Sequence, residues 1–135
     1  MKAVIDERPT KAECLASVNA IRDALFVLNG KWKLPLIFTI LEKPRRFNEI
    51  QQSVPGITPK ILSKELKDLE ENGFIKRNVY PTTPVTVIYE ITPYSHTLKS
   101  VLGELRAWGM QHKDMIKESM RKKEAAPAGA LHHDA

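Results

Sequence analysis

The chain has 135 residues, 42% of them hydrophobic, one cysteine, and a net charge of +5 from 21 basic and 16 acidic side chains. That suffices for one domain with a modest core and is too short for two. No run of about 18 apolar residues could cross a bilayer, a single cysteine leaves no intramolecular disulfide or cysteine-based zinc site, and the basic balance favours an acidic partner.

The start, Met1-Lys-Ala-Val-Ile-Asp-Glu, lacks the apolar centre of a signal peptide, so a cytoplasmic location is expected. Residues 1–9 read as an N-terminal arm, 10–123 as the folded domain and 124–135 as a disordered tail, poor in groups that could pack. Thr10-Lys-Ala-Glu13 fits a capping box. Cys14, Val18, Ile21, Leu25 and Leu28 then recur at helical spacing until Asn29-Gly30, giving an apolar stripe of which part should face the domain and part a second subunit.

The nearly continuous apolar run 31–41 reads as a buried central helix, with Pro35 tolerated in the first turn. Trp32 reads as core rather than as a stacking platform, and Lys31 and Lys33 as solvated charges. After the break at Pro44-Arg45-Arg46, Phe47, Ile50 and Val54 mark a short helix. Arg45 and Arg46 stand at its approach, where two guanidiniums could meet a phosphate or could simply be exposed loop charges. Gly56 gives the next turn its freedom, and Ile57 is expected to plug into the core.

The run Thr58-Pro-Lys-Ile-Leu-Ser-Lys-Glu-Leu-Lys-Asp-Leu-Glu-Glu-Asn-Gly73 is a helix with a stop at each end: an N-cap threonine, a proline at the first position, and Asn-Gly at the close. Ile61, Leu62, Leu66 and Leu69 share one face, while Lys60, Lys64 and Lys67 fall within roughly 60° of arc on the other. Glu65, Asp68 and Glu70 lie on the flanks. The first half of the polar face therefore presents Thr58, Lys60, Ser63 and Lys64, which suits phosphates and base edges. Taken alone such a face reads first as a solvated surface; its neighbours along the chain overturn that in favour of the nucleic-acid reading.

Two β-rich runs follow, 74–80 and 85–91, around Pro81-Thr82-Thr83-Pro84, and read as a hairpin. Arg77 could reach a phosphate, and Thr82 and Thr83 could offer hydroxyl and amide contacts to one. Thr92-Pro93 reads as the cap and start of a last helix, in which Leu98, Val101, Leu102, Leu105, Trp108, His112, Met115 and Ile116 repeat at helical spacing to about residue 123. A stripe that outruns its own domain calls for a partner, and the first helix of a second copy is the economical one. The interface is expected to take Val18, Ile21 and Leu25 from the first helix and Leu102, Leu105, Trp108, His112 and Met115 from the last.

Helix, tight helix pair and hairpin in this order predict an α+β, mainly helical fold: a winged helix-turn-helix domain with N- and C-terminal dimerisation helices. The residues Gly30-Lys-Trp-Lys, Arg46-Phe-Asn-Glu-Ile, Pro55-Gly-Ile-Thr-Pro-Lys-Ile-Leu-Ser, Leu66-Lys-Asp-Leu-Glu-Glu-Asn-Gly-Phe-Ile-Lys-Arg, Tyr80 and Tyr89-Glu-Ile-Thr92 resemble the HxlR-type winged-helix regulators of bacteria, MarR-like dimeric proteins. The resemblance spans roughly residues 14–112. It implies a homodimer that binds double-stranded DNA and regulates transcription, and here it departs from the family in an uncharged wing and in Ser95 where glycine is common.

The expected function is a sequence-specific DNA-binding regulator, a repressor, on an inverted-repeat operator; the rival is a winged-helix module for protein contact. No catalytic constellation, cofactor motif or metal-ligand set stands out, and His132-His133 alone cannot make a defined metal site. Cys14 is the exception to an inert chain. A nearby Lys11 and free helix amides would support reactivity, while burial on the apolar stripe would make it a small hydrophobe. Some members of the resembling family sense oxidants or electrophiles at such a cysteine, which implies an oxidant or small-molecule effector; here any disulfide would be intermolecular or with a small thiol.

Overall fold

The computed structural model describes residues 8–125, so the expected tail from 126 onward, with His132-His133, and the arm before residue 8 lie outside the described residues. Helix α1, Lys11–Val27, opens on the capping box that the sequence announces: Glu13 N–H donates to Thr10 Oγ1 at 3.1 Å, and Thr10 N–H donates to Glu13 Oε1 at 2.9 Å. It ends on Leu28, two residues before Gly30, whose φ of +86° suits a residue without a Cβ.

Helix α2, Lys33–Glu42, starts two residues later than the apolar run begins and is the central element, burying Leu36, Ile37 and Ile40. Helix α3, Phe47–Ser53, and helix α4, Pro59–Glu71, form the tight pair. Thr58 Oγ1 accepts from Ile61 N–H at 3.2 Å to cap α4. Its other end closes through Gly73 at φ +81°: Gly73 N–H donates to the Glu70 carbonyl and Phe74 N–H to the Leu69 carbonyl, the two bonds of a Schellman close. Phe74 is thereby turned inward and feeds the hairpin.

Strands β1, Ile75–Tyr80, and β2, Thr86–Ile91, pair antiparallel from Ile75 opposite Ile91 to Tyr80 opposite Thr86. A single further bridge joins Arg45 to Tyr89, with backbone bonds of 3.0 and 2.8 Å in both directions, so the hairpin is sewn to the loop before α3. One core joins Leu36, Ile37 and Ile40 to Ile50 and Val54, to Ile57 as expected, to Leu62, Leu66 and Leu69, and to Phe74, Ile75 and Tyr89. Trp32 packs against it half-buried, with Lys31 Nζ 4.8 Å above its ring.

The chain corrects the expected start of the last helix. Thr92-Pro93 opens a 3-10 turn, Tyr94–Leu98, and helix α5 follows at Lys99–Ala125. The cause is Ser95: fully buried, it donates from Oγ to the Phe74 carbonyl at 2.6 Å, while Thr92 Oγ1 donates to the Gly73 carbonyl at 2.7 Å. These bonds satisfy carbonyls at the close of α4 and hold the chain in a tighter turn before α5 departs.

Two expectations about the long helices also change. No residue of α1 is buried, so its stripe does not face this domain along its length; only its end approaches Phe74, Tyr94 and Leu98. Leu102, expected at the subunit interface, is instead 5% exposed and belongs to the chain's own core, where α5 meets α2.

Candidate nucleic-acid interface

Helix α4 separates its faces as its sequence demands. Leu62, Leu66 and Leu69 are buried, and Thr58, Lys60, Ser63, Lys64 and Lys67 are all exposed on the side away from the core. Spacings of three and four put Lys60, Ser63, Lys64 and Lys67 on one ridge. The helix start offers fewer amides than the sequence suggests: Pro59 has no N–H and that of Ile61 is taken by Thr58, which leaves Lys60 to supply one.

Two of the four carboxylates of α4 are held by a residue that sequence reasoning assigned to solvent. Lys33, buried in α2, places Nζ 2.6 Å from Glu65 Oε1 and 3.7 Å from Asp68 Oδ2. Asp68 Oδ2 is also 3.4 Å from Lys64 Nζ. The only local hint of Lys33's role is its place at the head of an apolar run, where a lysine must find a carboxylate or leave the helix surface.

Arg45 is likewise committed within the chain. Its Nε donates to the Thr39 carbonyl at 2.9 Å, one terminal nitrogen to Glu42 Oε1 at 2.8 Å, and the other lies 3.5 Å from Ser53 Oγ. The expected phosphate ligand is thus a clasp between α2, α3 and the hairpin. Arg46 differs from it: its backbone N–H is capped by Glu49 Oε1 at 2.9 Å and its residue is exposed at the start of α3. Arg77 is exposed on β1, opposite Tyr89. At the hairpin tip Thr83 is exposed, whereas Thr82 Oγ1 is already engaged with the Pro84 carbonyl and the Thr86 hydroxyl, both at 2.6 Å.

The recognition ridge, the capped α3, and the hairpin make a helix-turn-helix with a wing, and residues 27–117 match the model of the HxlR-like helix-turn-helix family. The chain belongs to that family. It is 36% identical over 106 residues to the uncharacterized HTH-type transcriptional regulator YdeP of Bacillus subtilis, covering 77% of this chain and 83% of that protein. It is 37% identical over 91 residues to the transcriptional regulator YodB of the same organism, covering 67% and 81%. The solved structure of the redox regulator HypR in its reduced form superposes with a TM-score of 0.68 at 31% identity, over 73% of this chain and 98% of that one.

The family match begins at the last residue of α1, so Cys14 stands outside it. Cys14 is exposed in the chain and carries no disulfide, which removes the reading of it as a residue buried in its own domain. The rest of the expected interface is exposed too: Val18, Ile21 and Leu25 on α1, and Leu105, Trp108, His112 and Met115 on α5. Trp108 and His112 stack on each other at 4.9 Å and 9°. Between α2 and α5 a cavity of about 410 Å³ is lined by Leu34, Phe38, Val54, Leu102, Leu105 and Arg106. No described helix is long and apolar enough to cross a membrane.

Proposed function

We propose that this HxlR-like regulator acts in the cytoplasm as a homodimer that binds an inverted-repeat operator and represses by occupying it. The observation that carries the reading is the exposed ridge of Lys60, Ser63, Lys64 and Lys67 on a helix capped by Thr58, with the flanking carboxylates drawn aside by Lys33. Lys64 and Lys67 serve phosphates, and Thr58, Lys60 and Ser63 face the groove. Arg46, Arg77 and Thr83 hold the backbone at either side; Arg45 and Thr82 shape the supports on which those contacts stand. Two copies of α4 related by a dyad would lie about one helical turn, roughly 34 Å, or a multiple of it apart.

Regulation runs through the helices outside the core. Relatives include a redox regulator, and Cys14 is exposed on α1, one turn before Val18 of the expected interface. Oxidation there, to an intersubunit disulfide or a mixed disulfide with a small thiol, would change the packing that sets the spacing of the two α4 helices. The cavity between α2 and α5 is where an apolar effector would lodge.

The test is binding to the protein's own upstream DNA across a salt series, with and without a mild thiol oxidant. Saturable, sequence-selective binding is expected, and Lys64→Ala and Lys67→Ala should each lower the salt slope by about 1. Cys14→Ser should remove the oxidant response. Binding that is weak and indifferent to sequence would favour the protein-contact module instead.

A further inference from the structure

Among the described residues Lys33 is the only charged residue counted in the buried interior, and it sits in the central helix rather than at the surface. Its ammonium begins a chain of alternating charge. Lys33 holds Glu65 at 2.6 Å and reaches Asp68 at 3.7 Å, and the same Asp68 oxygen is 3.4 Å from Lys64. Exposure rises along that chain, from 10% for the Lys33 side chain and 14% for Glu65, through 36% for Asp68, to 71% for Lys64.

The recognition helix needs such a chain because its own charges nearly cancel. Against Lys60, Lys64 and Lys67 it carries Glu65, Asp68, Glu70 and Glu71. Two of these carboxylates are one turn apart in its middle, on the flank that α2 supports, where uncompensated negative charge would repel an approaching phosphate. Lys64 has a second difficulty: to touch a phosphate it must leave Asp68 and would strand that carboxylate. Lys33 is already within 3.7 Å of it.

We propose that Lys33 is a positioning residue for DNA binding, which holds Glu65 and Asp68 to the inner flank of α4 and takes over Asp68 when Lys64 leaves it for a phosphate. The inference rests on the DNA-binding reading above and assigns its regulation at the recognition helix to a residue that never touches DNA. Because the fourth side chain of the series is exposed and the first is fixed in the core, the exchange needs Lys64 to move out and Asp68 to close only a small gap to Lys33, from 3.7 Å.

A double-mutant cycle on the full chain decides it: wild type, Lys33→Gln, Asp68→Asn and the double variant, titrated with an operator fragment and with an unrelated duplex, folded fraction checked by circular dichroism. With Lys33 present, Asp68→Asn should change operator affinity by less than about threefold, since that carboxylate is already covered. In the Lys33→Gln background the same change should recover about tenfold or more of the affinity lost. A purely structural ion pair would not produce this coupling in DNA affinity. Equal factors in the two backgrounds overturn the role. If Lys33→Gln does not fold, Asp68→Asn alone decides: it lies at a half-exposed site, and a gain of about tenfold in the wild-type background overturns the handover. Wild type that binds operator and unrelated duplex alike overturns the regulator reading and this role with it.

Discussion

Five of the ten residues of α2 are buried, against one of the twenty-seven in α5 and none of the seventeen in α1. All three are regular helices, but they are held by different things. The middle of the molecule is fixed by its core and by polar clasps at the buried Lys33 and Ser95 and the part-buried Arg45. Beyond Leu102 on α5 and the end of α1, the outer helices have local devices: the Thr10–Glu13 box, the Arg121–Glu118 pair at 2.7 Å, and the Trp108–His112 stack. Such devices contribute tenths of a kcal/mol to about 1 kcal/mol each, and in proteins most helical stability comes from packing an apolar face against other elements.

The apolar surface is divided in the same way. Of eighteen large hydrophobic residues exposed among the described residues, thirteen lie on α1 and α5. At 27 residues α5 is about 40 Å long and projects well past its contact with α2 at Leu102. A second copy would cover both stripes, and it would place the dyad on which the proposed operator geometry depends.

The contrast can be broken most strongly at the bare helices. Replacing both Leu25, 60% exposed, and Trp108, 59% exposed, by glutamate should leave the core untouched and raise the dimer dissociation constant by more than about 100-fold, the scale of losing a large apolar anchor. Sedimentation equilibrium measures it. A variant that stays dimeric at micromolar concentration would detach these helices from association. The opposite experiment is Ile37→Ala in the middle of α2. Ile37 has no exposed surface, and its truncation should cost about 3 kcal/mol of stability at every protein concentration. Chemical denaturation at two concentrations separates the two cases: the core loss is the same at both, and the interface loss is not.

The same division decides what could be read from the residues. Features made by neighbours in sequence were legible: the Thr10 box, the Thr58 cap with Pro59, the Gly73 close, the presence of the hairpin. Features made across the chain were not. Lys33 finds Glu65 thirty-two positions away, and Ser95 finds the Phe74 carbonyl twenty-one positions away; neither partner is marked by any local pattern. Arg45 stands in a basic pair beside a proline and looks like a loop charge until α2, α3 and the hairpin converge on it. Leu102 illustrates the limit of periodicity. It repeats in phase with Leu105, Trp108 and Met115, and only the crossing of α5 over α2 separates the core position from the exposed ones.

The smallest test is also the most local. Thr10→Ala removes the hydroxyl that accepts from Glu13 N–H and leaves that amide uncapped, while the backbone N–H of residue 10 can still donate to Glu13 Oε1. A lost cap of this kind costs about 1 kcal/mol. In α2 the surrounding core would hold a frayed turn in place, but α1 has no buried residue to do so. The loss should therefore appear as faster amide exchange in the first turns of α1 and a severalfold weaker dimer, with the exchange of α2 and α4 unchanged. Equal acceleration in α2 would mean that α1 is coupled to the core through contacts other than its exposed stripe, and would dissolve the division between the packed middle and the helices that await a partner.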